Sequence, residues 1–287
     1  MVDRWRSNEE LYRSGIGLDQ RQSADWNGGD ASSREGNRLA TFGIECIKNF
    51  ANARANGVST AGDFTYAFNI SNGLDDKLRS RGHVRTFYWS NQDCFENDIR
   101  DDNQGGDDKN WADKVDLFFI MTHGNHTAAG AAQLLYDVPN GQWRTFSNTW
   151  SLGENFNAEW ILCYSCKTVD LNKLGGLWNM FNGLHMFCGA YDNMWDGWTT
   201  EECGRDVGQN LIDGHTVSHS WIEGVSDWSV DNHPAVVCVG TSATWNNGNI
   251  RWDTSYMNRD HLSGHGEVMP DLPPSQQGCI LVRWAEG

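Results

Sequence analysis

The stretch VDLFFIMTHG, residues 115–124, decides how this chain is read. Its centre, Leu117-Phe-Phe-Ile-Met121, is continuously apolar and of strand length, and it runs into His123-Gly124. A second run, EWILCYSC over 159–166, has the same build and ends in Cys166. A strand with one wet face alternates polar and apolar residues, whereas an unbroken apolar run fits a strand covered on both faces, as in a parallel sheet. Each run delivers one reactive side chain at its C-terminal end, the edge of an open α/β sheet at which ligands bind. A histidine and a cysteine placed there are a candidate base and nucleophile.

Working outward, residues 1–35 are polar, rich in Gly, Asp and Ser, and read as an N-terminal arm. Leu39, Phe42, Ile44, Ile47 and Phe50 suggest an amphipathic helix over 38–56, stopped by Gly57. The aromatic, β-branched run 64–70 reads as a strand, Asn72 as the cap of a helix over 73–81 that Gly82 ends, and 84–89 as a second strand. Strand, helix and strand in that order predict a βαβ unit. Residues 91–110 are acidic. Their oxygen density suits calcium, but the spacing is not that of an EF-hand, and a solvated loop is the simpler expectation.

Residues 127–136 are small and apolar, and 141–154 form a tryptophan-bearing loop or hairpin. Leu171, Leu174, Leu177, Trp178 and Phe181 have helical spacing over 170–181. Residues 184–190 and 234–240 are strand-like, and 201–228 reads as one long helix or two broken at Gly214. Residues 241–276 are loop-rich, and 279–284 closes the sheet. With no internal repeat and no linker, one domain is expected over 1–287.

Composition excludes several classes. A net charge of −16 argues against nucleic acid as a partner, because phosphate contacts need clustered Lys and Arg. No apolar stretch reaches the ~18 residues of a membrane span. The N-terminus has no apolar signal core, so the expected location is cytoplasmic, or secreted if a signal peptide has been removed. Eight cysteines are sparse for this length, and Cys163, Cys188, Cys238 and Cys279 lie in apolar runs, which favours reduced thiols and leaves the sequons at Asn69 and Asn125 silent.

Cys163-Tyr-Ser-Cys166 has the spacing of a redox pair or half a zinc site, but no second C-x-x-C accompanies it. His215 and His219 stand one helical turn apart and read as a helix face near a loop edge rather than a metal pair. No metal and no cofactor is expected. Among fifteen tryptophans, Trp143, Trp195, Trp198, Trp245 and Trp252 fall in loop-like stretches, where they either line a ligand site or cap a loop-rich core.

The paired motifs LFFIMTHG (117–124) and WILCYSC (160–166) resemble the caspase-like cysteine peptidases: caspases, legumains, gingipains, clostripain and separase. The segment from Gly204 to Trp221 resembles the helical region downstream of the cysteine in bacterial members, and the likeness spans roughly residues 64–239. It implies an α/β three-layer α/β/α sandwich with a mostly parallel, caspase-like central sheet. It implies His123 as proton carrier, Cys166 as nucleophile and the Gly124 amide as oxyanion donor. Lys167-Thr168 departs from the small-residue turn of several relatives. Ser165, before the nucleophile, and Asp192, Trp195, Asp196 and Trp198, after the next strand, are the expected substrate contacts. The expected activity is a cysteine-dependent hydrolase acting through an acyl-enzyme on a peptide. The alternatives are a cyclase or acyl transferase acting on an apolar small molecule in a Trp-lined pocket, and a ligand-binding protein with an inert dyad.

Overall fold

The computed structural model describes residues 10–12, 38–58, 61–128, 130–138, 143–154, 157–226, 231–241, 244–246, 249–251 and 255–285. In chain order these hold β1 (Glu10–Tyr12), β2 (Thr41–Cys46), α1 (Ala51–Ala55), α2 (Ala67–Ser80), β3 (Val84–Ser90), β4 (Leu117–Met121), β5 (His123–His126), β6 (Ala132–Leu135), β7 (Arg144–Phe146), β8 (Trp160–Tyr164) and β9 (Met186–Ala190). Then follow α3 (Cys203–Ile212), α4 (Val217–Val225), β10 (Pro234–Gly240), β11 (Thr244–Asn246), β12 (Asn249–Arg251), α5 (Ser255–Arg259) and β13 (Cys279–Trp284). The main sheet has the order β1-β13-β10-β9-β8-β4-β2-β3. Its pairs from β3 through β9 are parallel, and β10 and β13 join antiparallel.

The continuous apolar runs have the predicted cause. β4, β8 and β9 are buried along their whole length, which requires cover on both faces. Full burial of side chains such as Phe118, Phe119 and Ile161 contributes about 1.5–3 kcal/mol each. One cover is the layer of α2, α3 and α4, which pack on one another, α2 against β2, β3 and β4 and α4 against β9 and β10. The connections β3→β4, β4→β8 and β8→β9 travel along the sheet in the opposite direction from β2→β3. Right-handed crossovers therefore carry them over the other face. That face is built from short 3₁₀ turns, such as Ala112–Lys114 against β4 and Leu174–Met180 against β13. The result is a three-layer α/β sandwich with a mostly parallel central sheet.

Several local expectations are corrected. Residues 41–46 are a central strand, not part of a helix; their apolar positions fit either period, and pairing with β3 and β4 on both sides decides. A Cβ on Gly43 would lie 2.1 Å from Phe87 Cζ, so the Phe87 ring covers that glycine and the β2–β3 register shifts there. The aromatic run 64–70 is not a strand. It leads into α2, which begins at Ala67, so Asn72 is inside the helix and its Oδ1 accepts from Tyr88 Oη at 3.0 Å. The βαβ unit is real but runs β2-α2-β3. Residues 170–181 form 3₁₀ turns rather than an α-helix. β4 stops at Met121, and His123 opens a separate antiparallel hairpin, β5-β6-β7. The predicted break at Gly214 falls between α3 and α4, where the backbone has φ of 83°. Of the expected arm, only β1 lies within the described residues, and Trp252 lies outside them. No helix is long and apolar enough to cross a membrane among the described residues.

Candidate active site

β2 leads to α2 on one face, while the segments following β4 and β8 pass over the other. The chain thus reverses between β2 and β4, and a crevice opens beyond their C-terminal ends. His123 enters this crevice directly after β4. Its ring lies between Phe50 and Phe64, with centroids 4.5 Å and 4.4 Å away, both from the segment that follows β2. His123 Nε2 is 2.8 Å from the carbonyl oxygen of Gly62. A carbonyl only accepts, so Nε2 carries the proton and Nδ1 the lone pair. Burial lowers the His123 pKa against the opposing pull of that carbonyl and of Asp196 and Asp63. The ring is therefore neutral near pH 7.

Cys166 follows β8, the parallel neighbour of β4, in the register Leu117↔Trp160 to Met121↔Tyr164. Its Sγ bonds the Met194 carbonyl at 3.4 Å and receives the Met194 amide at 3.3 Å. Burial raises the thiol pKa, over the opposing effect of the Met194 amide and Lys167. Thiol and imidazole are thus both neutral at rest, and among the described residues each bonds its own partner rather than the other.

Gly124 brings the two segments together. A Cβ there would lie 2.4 Å from the Cys166 carbonyl oxygen and 2.7 Å from Ser165 Cβ. Only glycine lets the strand after His123 lie against the backbone that carries the cysteine. Lys167 then adopts a left-handed φ of 51°, which turns the chain away from Cys166. The Lys167 amide bonds the Asp192 carbonyl at 2.8 Å, and its ammonium lies 3.4 Å from Asp192 Oδ1.

The other expected contacts divide. Ser165 is buried with its amide on the Cys163 carbonyl at 2.9 Å. Asp196 binds the amides of Thr65 and Tyr66, the latter at 2.8 Å, and so caps α2. Trp195 and Trp198 are 52% and 74% exposed, large apolar surface on the loop whose Met194 holds the thiol. Trp143 lines a hollow with Val58, Arg144 and Phe146 that shares Val58 and Arg144 with the cavity beside His123. Cys163 of the C-x-x-C is buried within β8 with its thiol pushed up to about 12 by desolvation, as a packed core side chain. His215 and His219 stand with ring centroids 4.7 Å apart at the start of α4.

Sequence reading missed the hairpin wall of the site. A cavity of about 170 Å³ beside His123 is lined by Asn125, Gln133, Leu135 and Arg144. Arg144 sits on β7, and no spacing signal in the sequence ties it to His123.

A second constellation lies at the opposite, N-terminal edge of the sheet. His185, just before β9, is fully buried, with Nδ1 2.9 Å from Asp260 Oδ2 and Nε2 2.8 Å from Glu159 and 3.3 Å from Asp271. Burial opposes its charge, but Glu159 and Asp260 hold its pKa well above the imidazole range. Asp260 also receives the Trp160 indole N–H at 2.6 Å and the Met269 amide at 2.8 Å. Glu159, His185 and Asp271 have atoms close enough to share a metal ion, but both imidazole nitrogens are already bonded to carboxylates, so this is an ion-pair network.

Residues 44–286 match the family described as "Domain of unknown function (DUF6345)". The chain belongs to this family. No curated protein matches it. Among solved structures, this DUF6345 chain is similar to the X-ray structure of a secreted C11 cysteine protease from Bacteroides thetaiotaomicron, "iotapain". That likeness has 12% sequence identity and a TM-score of 0.41, covering 70% of this chain and 67% of that one.

Proposed function

We propose that this DUF6345 protein is a cysteine-dependent hydrolase of the caspase-like peptidase type, with Cys166 as nucleophile and His123 as proton carrier. The observation that carries the reading is the close approach of Gly124 to Ser165 and the Cys166 carbonyl, which lays the segment after β4, carrying His123, against the segment after its parallel neighbour β8, carrying Cys166. Cys166 Sγ attacks the substrate carbonyl as its proton passes to the imidazole, whose Nδ1 holds the free lone pair. The amides of Gly124 and Cys166 receive the developing oxyanion. The proton then goes to the leaving group, and water hydrolyses the thioester. Two neutral partners suit this sequence, since the proton moves only when the carbon–sulfur bond forms. Trp195 and Trp198 offer an apolar platform on one side, and Arg144 and Gln133 a polar wall on the other.

A second reading draws on those exposed indoles: the same dyad passes the acyl group of an apolar molecule to an acceptor other than water. Limiting iodoacetamide or an acyl-oxymethyl-ketone, with the adduct mapped by mass spectrometry, tests the shared chemistry. Selective modification of Cys166 that falls sharply in His123→Ala is expected. Labelling spread evenly over the cysteines would overturn the dyad. Turnover of a peptide library, with hydrolysed rather than transferred product, separates the two readings.

A further inference from the structure

The acidic connection between β3 and β4 folds into successive 3₁₀ turns that gather carboxylates. Asp101 caps the turn Asp102–Gln104, and its Oδ1 accepts the Asn103 amide at 2.8 Å. Asp108 is fully buried at the start of the next turn. Its Oδ1 accepts the amides of Lys109 at 2.9 Å and Asp102 at 3.1 Å, but its Oδ2 is buried with no donor. Glu154 arrives from the connection before β8, and neither of its buried carboxylate oxygens meets a donor from another residue. Asp113, also fully buried, accepts the Gly153 amide at 2.5 Å, beside Glu154.

Oxygens of Asp101, Asp108 and Glu154 all lie within 4.8 Å of one another. Among the described residues, no lysine or arginine pairs with any of these three; Arg100 binds Glu96 at 2.5 Å and Lys109 binds Asp102 at 2.7 Å. Buried carboxylates are ordinarily paired or bound to metal, because desolvation of a lone charge costs several kcal/mol. Burial, followed by repulsion from Asp113, pushes Asp108 up to about 8 and Glu154 up to about 9.

We propose that Asp101, Asp108 and Glu154, backed by Asp113, bind a calcium ion that ties the β3–β4 connection to the one entering β8. Calcium takes oxygen ligands at about 2.3–2.6 Å, so oxygens on opposite sides of it stand about 4.6–5.2 Å apart. The donors here are all hard oxygens, on irregular turns that tolerate calcium's flexible geometry, whereas magnesium keeps most of its waters and takes fewer carboxylates. The ion joins the turns that lead into β4 and β8. This departs from the metal-free expectation of the sequence.

The test uses the whole chain. Terbium luminescence excited through tryptophan and displaced by calcium measures binding, and thermal melting in EDTA and in millimolar calcium measures linkage. Calcium is expected to raise the Tm of the wild type by about 3 °C or more. Glu154→Gln is expected to weaken calcium binding about tenfold or more while melting higher than wild type in EDTA, since it removes a buried carboxyl that has no partner without the ion. Asp101→Asn gives the same pair of effects should Glu154→Gln not fold. No terbium signal and no calcium-dependent Tm in the wild type would overturn the site. So would a Glu154→Gln variant of unchanged affinity. A shift by magnesium as large as that by calcium would overturn the assignment of the ion.

Discussion

The two ends of the central sheet treat histidine in opposite ways. At the C-terminal edge His123 is half-buried, bonds one neutral carbonyl, and has its pKa lowered by burial. At the N-terminal edge His185 is fully buried among Glu159, Asp260 and Asp271, and has its pKa raised. Burial acts against the imidazolium in both places; carboxylates at hydrogen-bond distance decide the outcome. One end keeps a neutral imidazole bonded through Nε2 alone among the described residues. The other spends both nitrogens on ion pairs that join the starts of β8 and β9 to the segment after α5.

Removing the buried cation is the largest way to break that contrast. His185→Leu is expected to destabilise the fold by about 3–5 kcal/mol, read by urea denaturation, because it strands three carboxylates. Cys166 labelling in the folded fraction should persist. The pH sign follows from the raised pKa. The stability from His185 is complete below the ordinary imidazole value of about 6.5 and is lost as pH rises towards the raised folded value. Wild type is therefore expected to lose more stability than His185→Gln between about pH 6 and about pH 9.

At the other edge, Gly124→Ala must displace the Cys166 carbonyl, 2.4 Å from the new Cβ. A loss of about 1–3 kcal/mol in unfolding free energy is expected, together with slower Cys166 alkylation than in wild type. Unchanged alkylation would show that the two segments do not act together. Asp196→Ala uncaps α2 and is expected to cost about 0.5–2 kcal/mol, by thermal melting, with alkylation little changed. The smallest effect on stability belongs to Lys167→Met, whose exposed pair with Asp192 contributes about 0–1 kcal/mol. Loss of the nearby ammonium should still raise the Cys166 pKa, so its alkylation rate at neutral pH falls.

Legibility in the sequence tracked how local the deciding interaction was. The runs at β4, β8, β9 and β10 announce buried strands by their own composition, and the order of His123-Gly124 and Cys166 within them marked one sheet edge. β2 and the start of α2 were misread because distant partners decide them: β2 is paired on both sides, and α2 is capped by Asp196, about 130 residues downstream. The His185 network draws on four separate segments and leaves no spacing to detect.

By itself, then, the sequence determined a mostly parallel α/β sheet and a histidine and a cysteine at strand ends, because apolar runs and strand-end residues are local properties of the chain. Only the tertiary structure decided that Gly124 seats one segment on the other, that Nε2 of His123 bonds the Gly62 carbonyl, and that carboxylates from two connections converge. Each of these depends on which strands become neighbours, and that is settled by packing across the whole sheet.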